Sequence, residues 1–530
     1  MTDTNTETSR PGLLKSSAIV GVGTALSRVT GLLRTVVLAY ALGKLVLADS
    51  YNLANTTPNI VYDLILGGVL SATLVPVFVD RFEKDDEDGV NAVVTVVSSL
   101  LAALTVVAIV AAPLIFKAYT WAADKDAAEL ERAGVPLLRL LLPQIAFYGL
   151  TALGTAILNA RRRFAAPAFV PVLNNILVIG VLLWFAHDAG AARSLVDSVA
   201  GHPGRLWLLG AGTTGGILLM TIALWPSLRS SGWRYRWRWR PRDAAVKEIV
   251  ALSGWTLGYV IANQIALTIV LALAAGETGE ATAYLYAFQF FQLPYGLFTV
   301  SLMTTVTPEL ASAVSANNMR TFRDQLSYGI RMMTLVILPS SIGMIVVARP
   351  LIVGLFVHGS YTTSDAVLTA DVLAAFAVGL LGFSLYLFVL RGFYALHDTR
   401  TPFLLNLVEN GVNVVLAFAL VGRWGPQGLA FSYSIAYMVA AVVAFAALRH
   451  RVGPIGGRGI ARSTGRVAVA TAVMGGVAWL AVHAVGEPTG SGAIVRLFAG
   501  VVAGLIVYGA AVLLLRVEEV DSLRRRLRRT

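Results

Sequence analysis

An all-α polytopic membrane protein of about fourteen spanning helices is the fold class this sequence predicts, and three observations predict it. The 530 residues are 56% hydrophobic and only 14% charged, far below the roughly 25% charged share of soluble domains. Apolar runs long enough for a hydrocarbon core near 30 Å, roughly 20 residues each, recur between charged or Gly/Pro-rich breaks. The breaks alternate in charge. Arg161 to Arg163, the arginine-rich stretch from Arg229 to Arg242, and Arg449 to Arg462 follow even-numbered runs, while DKDAAELER and GETGE follow odd-numbered ones. Cationic loops collect on the cytoplasmic side, so both termini are expected there.

The runs lie at 16–43, 50–80, 90–116, 135–160, 166–187, 205–228, 246–274, 281–309, 325–348, 366–396, 402–421, 425–448, 462–485 and 492–515. The polar N-terminus, 1–15, is expected to be disordered, with no removable signal peptide because the first apolar run is too long for one. An N-lobe of six helices then spans 16–228, a basic linker 229–245, a C-lobe of six helices 246–448, two further helices 449–515, and a basic tail 516–530. A weak internal repeat supports the division. Pro167 and Pro402 stand 235 residues apart, as do Asn175 and Asn410, and SATLVP ending at Pro76 has its counterpart in MTTVTP ending at Pro308. Six helices is an even number, so both copies enter the membrane from the same side.

The first run carries the chemistry. SSAIVGVGTALSRVTGLLRTVVLAYALG holds Arg28 and Arg34 and no acid, and an arginine at the centre of a membrane helix costs roughly 2.5–3.5 kcal/mol on insertion scales. Such a residue faces a bundle interior, a watery chamber or an anion, or else it snorkels to the interface. Six residues of helix place the two arginines about 240° apart, so they share a wall only if the helix bends, for which Gly31 offers a site, or if the cavity wraps the helix. A water-filled cationic cavity for an anionic headgroup is the leading reading.

Other polar residues cluster within the spans. Asp49, Asn52, Asn55, Asn59 and Asp63 lie on the second run, Asn263 and Gln264 on the seventh, Gln289 and Gln292 on the eighth, and Asn406, Glu409, Asn410 and Asn413 on the eleventh. Buried amides commonly tie helices together, and lining a shared chamber is the second reading for the group. Glu409, Asn410 and Asn413 offer oxygen ligands at helical spacing for Na+ or a proton, against a structural hydrogen-bond role. WRYRWRWR, 233–240, has the composition of a single-stranded nucleic-acid site. Beside a membrane helix, tryptophan at the headgroup level and arginine against anionic lipid explain it more simply, and no nucleic-acid partner is expected. No cysteine is present, which excludes disulfides and thiolate sites. No Walker loop, HExxH, GxSxG or Asp-rich motif occurs, and the six histidines lack metal-ligand spacing, so neither an enzyme nor a resident cofactor is expected.

Long stretches in order resemble the MurJ (MviN) lipid II flippase family of the multidrug/oligosaccharidyl-lipid/polysaccharide exporter superfamily, in an actinobacterial style. They are Ser27-Arg28 through Gly31 and Arg34; Ala48-Asp49, Pro58-Asn59 and Val75-Pro76; ILNARRRFAAPAFVP from Ile157 to Pro171; Leu293-Pro294 with Gly296; LFVHGSYTTSDA from Leu355; and GFYALHDTRTP from Gly392 to Pro402. The resemblance implies fourteen helices with two six-helix lobes in a V, and a polyprenyl-tail groove by helices 13 and 14. The activity it implies is transfer of undecaprenyl-diphosphate-linked disaccharide pentapeptide to the outer leaflet of the cytoplasmic membrane. Ser27, Arg28, Arg34 and Asp49 match the family's central-cavity positions. The chain departs from better-known members at Asp63 and Gly67, where they carry arginine and glutamate, and at Phe288-Gln289, where they carry an Asp-Arg pair. A sodium site found in some members has only a partial echo in Asn413, whose next-turn neighbour is Ala417. Expected partners are lipid II, membrane lipids and cell-wall or division proteins. The alternatives are export of another lipid-linked glycan or of cationic drugs, a polyprenyl-phosphate enzyme, and a non-transporting cell-wall scaffold.

Overall fold

Pro113, Pro203 and Pro226 each stand in the first turn of a helix, where the missing amide is harmless. The computed structural model describes residues 10–63, 71–123, 126–193 and 195–520, with side chains described except at 10–18, 61–63, 71–73 and 249–257. The described residues form helices and no strand. The chain divides into two compact units, Met1–Gln264 and Ile265–Thr530.

The first unit holds α1 (Arg10–Leu42), α2 (Val46–Asp63), α3 (Ser71–Glu83), α4 (Glu87–Val110), α5 (Ala112–Thr120), α6 (Ala127–Leu141), α7 (Gln144–Ala160), α8 (Ala165–Ala189), α9 (Asp197–Ala200), α10 (Pro203–Ala223) and α11 (Trp225–Ser230). Pro113 and Pro226 sit at the starts of α5 and α11, and α10 with α11 still forms one span over Pro203–Ser230. Asp86 caps α4 by accepting from the Gly89 amide at 2.8 Å. Small residues set the packing, as they must where lipid removes most of the hydrophobic drive between helices. A Cβ on Gly23 of α1 would lie 2.8 Å from the Ala168 Cβ of α8, and one on Gly210 of α10 would lie 2.6 Å from the Leu140 Cβ of α6. Leu74 and Phe78 of α3 join Val90 and Val94 of α4, Leu153 and Ile157 of α7, and Met220 of α10 in a buried core.

α12 (Ala244–Ala274) crosses the boundary between the units. The second unit continues with α13 (Glu280–Pro294), a π-helical turn at Tyr295–Thr299, α14 (Val300–Ser315), α15 (Met319–Phe356), α16 (Thr363–Val378), α17 (Leu380–Ala395), α18 (Arg400–Val452), α19 (Gly457–Ala484) and α20 (Gly490–Leu514). α18 is one element only in name. Gly425 takes φ 52° and ψ −137° inside it, a conformation open to glycine and costly for other residues, and Pro426 follows. The chain therefore folds back on itself. Ser432 donates to Asn413 Oδ1 at 2.9 Å across the hairpin, and a Cβ on Gly428 would lie 2.5 Å from the Leu420 carbonyl. α19 and α20 pack on each other and on α15.

Ten helices among the described residues are long and apolar enough to cross a membrane, and the α16/α17 pair, bent by 44°, makes an eleventh. The Gly425 reversal divides the longest of the ten, and α2 with α3 and α12 supply the remainder of the expected fourteen. Three boundaries differ from expectation. α1 begins at Arg10, inside the stretch expected to be disordered, because Pro11 fits a first helical turn. α15 overruns the expected 325–348 at both ends, since its capping asparagine, Asn318, accepts from Thr321 well before the apolar run. The start of the basic tail is docked: Glu519 is buried, accepts from Ser463 at 3.0 Å and pairs with Arg331 at 3.1 Å. The terminal arginines, 524–529, lie outside the described residues.

Candidate functional site

α1 runs as one helix through Gly31 and carries both arginines. One face is fastened to α8. Gly23 abuts Ala168, and Asn175 Nδ2 donates to the Ser27 carbonyl at 3.2 Å and to Thr30 Oγ1 at 3.0 Å. The two arginines follow from that face. Arg34 stands seven residues, nearly two full turns, from Ser27 and is half-buried, while Arg28 lies about 100° round from Ser27 and is exposed. Neither takes part in an ion pair with a carboxylate among the described residues.

α2 brings its polar residues to different neighbours. Asp49, in its first turn, is 1% exposed. Tyr51 is buried and shares a 2.9 Å hydrogen bond with Thr213 of α10, and Arg34 acts electrostatically on the same phenol. Asn52 is buried and Asn55 half-buried. Asn59 donates to the Asn55 carbonyl at 2.9 Å and accepts from the Tyr148 hydroxyl of α7 at 2.9 Å, so for Asn59 the role is tying helices together. The side chain of Asp63 lies outside the described residues, as does Gly67. Tyr51, Thr213, Tyr148 and Thr30 were not singled out by sequence, since tyrosine and threonine in apolar runs read as ordinary core.

In the second unit, Gln289 and Gln292 are half-buried on α13. Phe288, where the family resemblance implied an acid, stacks on Phe291 at 5.9 Å and meets Phe376 in a tilted and Tyr433 in an edge-on contact at 5.5 and 5.6 Å. The polar set of α18 is sealed: Asn406 is 0%, Glu409 1%, Asn410 9% and Asn413 5% exposed. Asn406 Nδ2 lies 3.5 Å from Glu409 Oε2, Asn410 donates to the Asn406 carbonyl at 3.0 Å, and Asn413 accepts from Ser432. Tyr284 of α13 is the titratable neighbour on which Glu409 acts. No group of three or more histidine, aspartate or glutamate side chains suited to a metal ion occurs among the described residues.

The described helices have a polytopic membrane-transporter fold, which solved structures share. A solved structure titled lipid II flippase MurJ, inward closed conformation, matches 94% of this chain and 99% of its own with TM-score 0.76 at 22% identity. An inward-facing multidrug resistance MATE family transporter of the MOP superfamily matches 81% and 95% with TM-score 0.67 at 17% identity. Within that class the sequence is more specific. The chain belongs to the lipid II flippase MurJ family, whose pattern it matches over residues 38–500. A probable lipid II flippase MurJ of Rhizobium meliloti is 29% identical over 94% of this chain and 92% of its own length, and one of Haemophilus influenzae is 29% identical over 94% and 98%.

Proposed function

We propose that this protein moves lipid II, the undecaprenyl-diphosphate-linked peptidoglycan precursor, from the cytoplasmic to the outer leaflet by alternating access. The observation that carries the proposal is the pair Arg28 and Arg34, held within an apolar span with no carboxylate ion-paired to either among the described residues. A diphosphate cannot cross hydrocarbon unaided, and guanidinium groups bind phosphate oxygens by charge-assisted, often bidentate hydrogen bonds. Ser27, one residue before Arg28, would add a hydrogen bond to phosphate or sugar, while the polyprenyl tail stays in the membrane. Asp49 would limit the cost of the unliganded cations by pairing with one of them when the passenger has left.

Both termini are assigned to the cytoplasm by the arginine-rich connections. An inside-negative potential then favours return of an emptied, positively charged site towards the cytoplasm. Glu409, Asn410 and Asn413 are the groups proposed to couple transport to Na+ or a proton, their burial favouring an exchange gated by conformation. Cell-wall or division proteins are proposed to meet the basic loops.

Labelling of lipid II by an external probe, in cells depleted of this protein and in cells retaining it, tests the reading. Depletion is expected to trap lipid II in the inner leaflet. Unchanged sidedness together with disorganised wall synthesis would make the protein a scaffold, and retention of a different lipid-linked glycan would change the passenger.

A further inference from the structure

An apolar slot of about 500 Å³ opens on the first unit between α4, α7, α10 and α11, lined by Val94, Leu150, Ile157, Ile222, Trp225 and Leu228. Its volume lies in the range of small-molecule sites, and Leu150, Ile222 and Trp225 are 38%, 57% and 47% exposed. Trp233 and Tyr235, from the connection between α11 and α12, complete the lining.

That connection is built rather than loose. Trp233 is buried in the core of the unit. The Arg236 amide donates to Asn91 Oδ1 at 3.2 Å and the Arg238 amide to Thr95 Oγ1 at 3.1 Å, so alternate residues of the strap meet side chains one turn apart on α4. Tyr235 shares a 3.2 Å hydrogen bond with Thr95, and Arg238 pairs with Asp88 at 3.1 Å. The remaining arginines, Arg229, Arg234, Arg236, Arg240 and Arg242, are exposed. Arg229 stands over the Trp225 ring at 5.2 Å, which puts a cation at the rim of the slot. Four acids at this end are already taken up: Asp80 by Lys84, Asp86 by Arg81, Glu87 by Arg161 and Asp88 by Arg238. Trp237 and Trp239, 65% and 56% exposed, have the amphipathic rings that settle at the headgroup level.

We infer that this slot and strap form a binding site for a resident anionic diacyl phospholipid. One acyl chain lies in the slot and the headgroup phosphate meets Arg229 and the strap arginines. The occupant is an amphiphile because an apolar groove ends at a surplus of fixed cations, and the site stands apart from the α1 arginines proposed to bind the passenger.

The experiment uses the full chain in detergent, titrated with phosphatidylglycerol or phosphatidylcholine and read by native mass spectrometry and by melting temperature. Phosphatidylglycerol is expected to bind at least about tenfold tighter than phosphatidylcholine, as two arginines acting on an anionic headgroup imply. The double variant Arg229→Gln/Arg236→Gln is expected to lose most of that preference, and Ile222→Trp, which fills the slot, to lower retention of both lipids. Leu150→Trp, on a second lining helix, repeats the slot test if Ile222→Trp does not fold. Equal binding of the two lipids, or unchanged binding in the slot variants, overturns the site. Displacement by a short-chain polyprenyl diphosphate at matching affinity overturns it as well, by assigning the slot to the passenger.

Discussion

Two helices offset by 235 residues start alike and end up in opposite surroundings. α8 carries Pro167, Asn174 and Asn175, and the first half of α18 carries Pro402, Glu409 and Asn410, each proline being the third residue of its helix. In the first unit Asn175 binds α1 at Ser27 and Thr30, and beside that seam stand an exposed Arg28 and a half-buried Arg34. In the second unit the neighbouring helix is the returning arm of a hairpin, and Asn406, Glu409, Asn410 and Asn413 are closed off. A polar residue in a membrane helix thus takes its role from what lies across the seam. In the first unit the polar group fastens a helix that carries arginines; in the second, the polar groups bond within their own helix turns and, at Asn413, across the hairpin to Ser432.

The largest test removes the cations. Arg28→Ala and Arg34→Ala are each expected to abolish complementation of a depleted strain at unchanged protein level, while Arg34→Lys retains part of the function because charge survives and bidentate geometry does not. Normal growth of the double variant would make the two units equivalent and end the contrast.

A smaller effect is expected at the hairpin. Gly425→Ala forces a side chain into φ 52°, ψ −137°, with its Cβ 2.9 Å from Glu280 Oε1. It should cost roughly 1–3 kcal/mol of stability, seen as a lower melting temperature. Gly422→Ala, three residues earlier with open space around it, should be neutral or stabilising by up to about 1 kcal/mol.

The smallest effect lies at the base of the hairpin. Asp398 accepts from the Thr401 amide at 3.0 Å and the Thr401 hydroxyl at 2.7 Å and pairs with Arg451, joining the two ends of α18. Burial alone would push its pKa up, but the Thr401 hydrogen bonds and Arg451 outweigh it and hold the group below 3.8. A carboxylate held low in the folded state stabilises fully above its unfolded value, near 3.9, and loses that contribution as pH falls through the folded one. Asp398→Ala should therefore cost about 1 kcal/mol at neutral pH, and the difference in melting temperature should shrink only in acid below about pH 4.

The spans were legible because Asp, Arg, Gly and Pro punctuate them. The Gly425-Pro426 reversal, at the join between 402–421 and 425–448, is the clearest instance. The helix starts at Pro113 and Pro226 were not anticipated, because a proline inside an apolar run can be carried within a helix, as Pro58, Pro136 and Pro339 are, as readily as it can begin one. In the candidate site, residue types were legible and pairings were not. Asn59 reads equally well as lining or as glue until Tyr148 is seen across from it, and Phe288 reads as a lost cavity residue until its rings are seen packed with Tyr433. The strap at 233–240 showed its headgroup chemistry in composition, but the slot beneath it depends on α4, α7 and α10 meeting, which hydropathy does not encode.

An unbroken α1 has a consequence for how a charged lipid would be passed along. Arg28 and Arg34 are separated by about 9 Å of rise and about 240° of turn, which is about 120° measured the short way round, so they do not project from the same side of the helix. On the proposed function, the two guanidinium groups would therefore meet a pyrophosphate from different sides of α1.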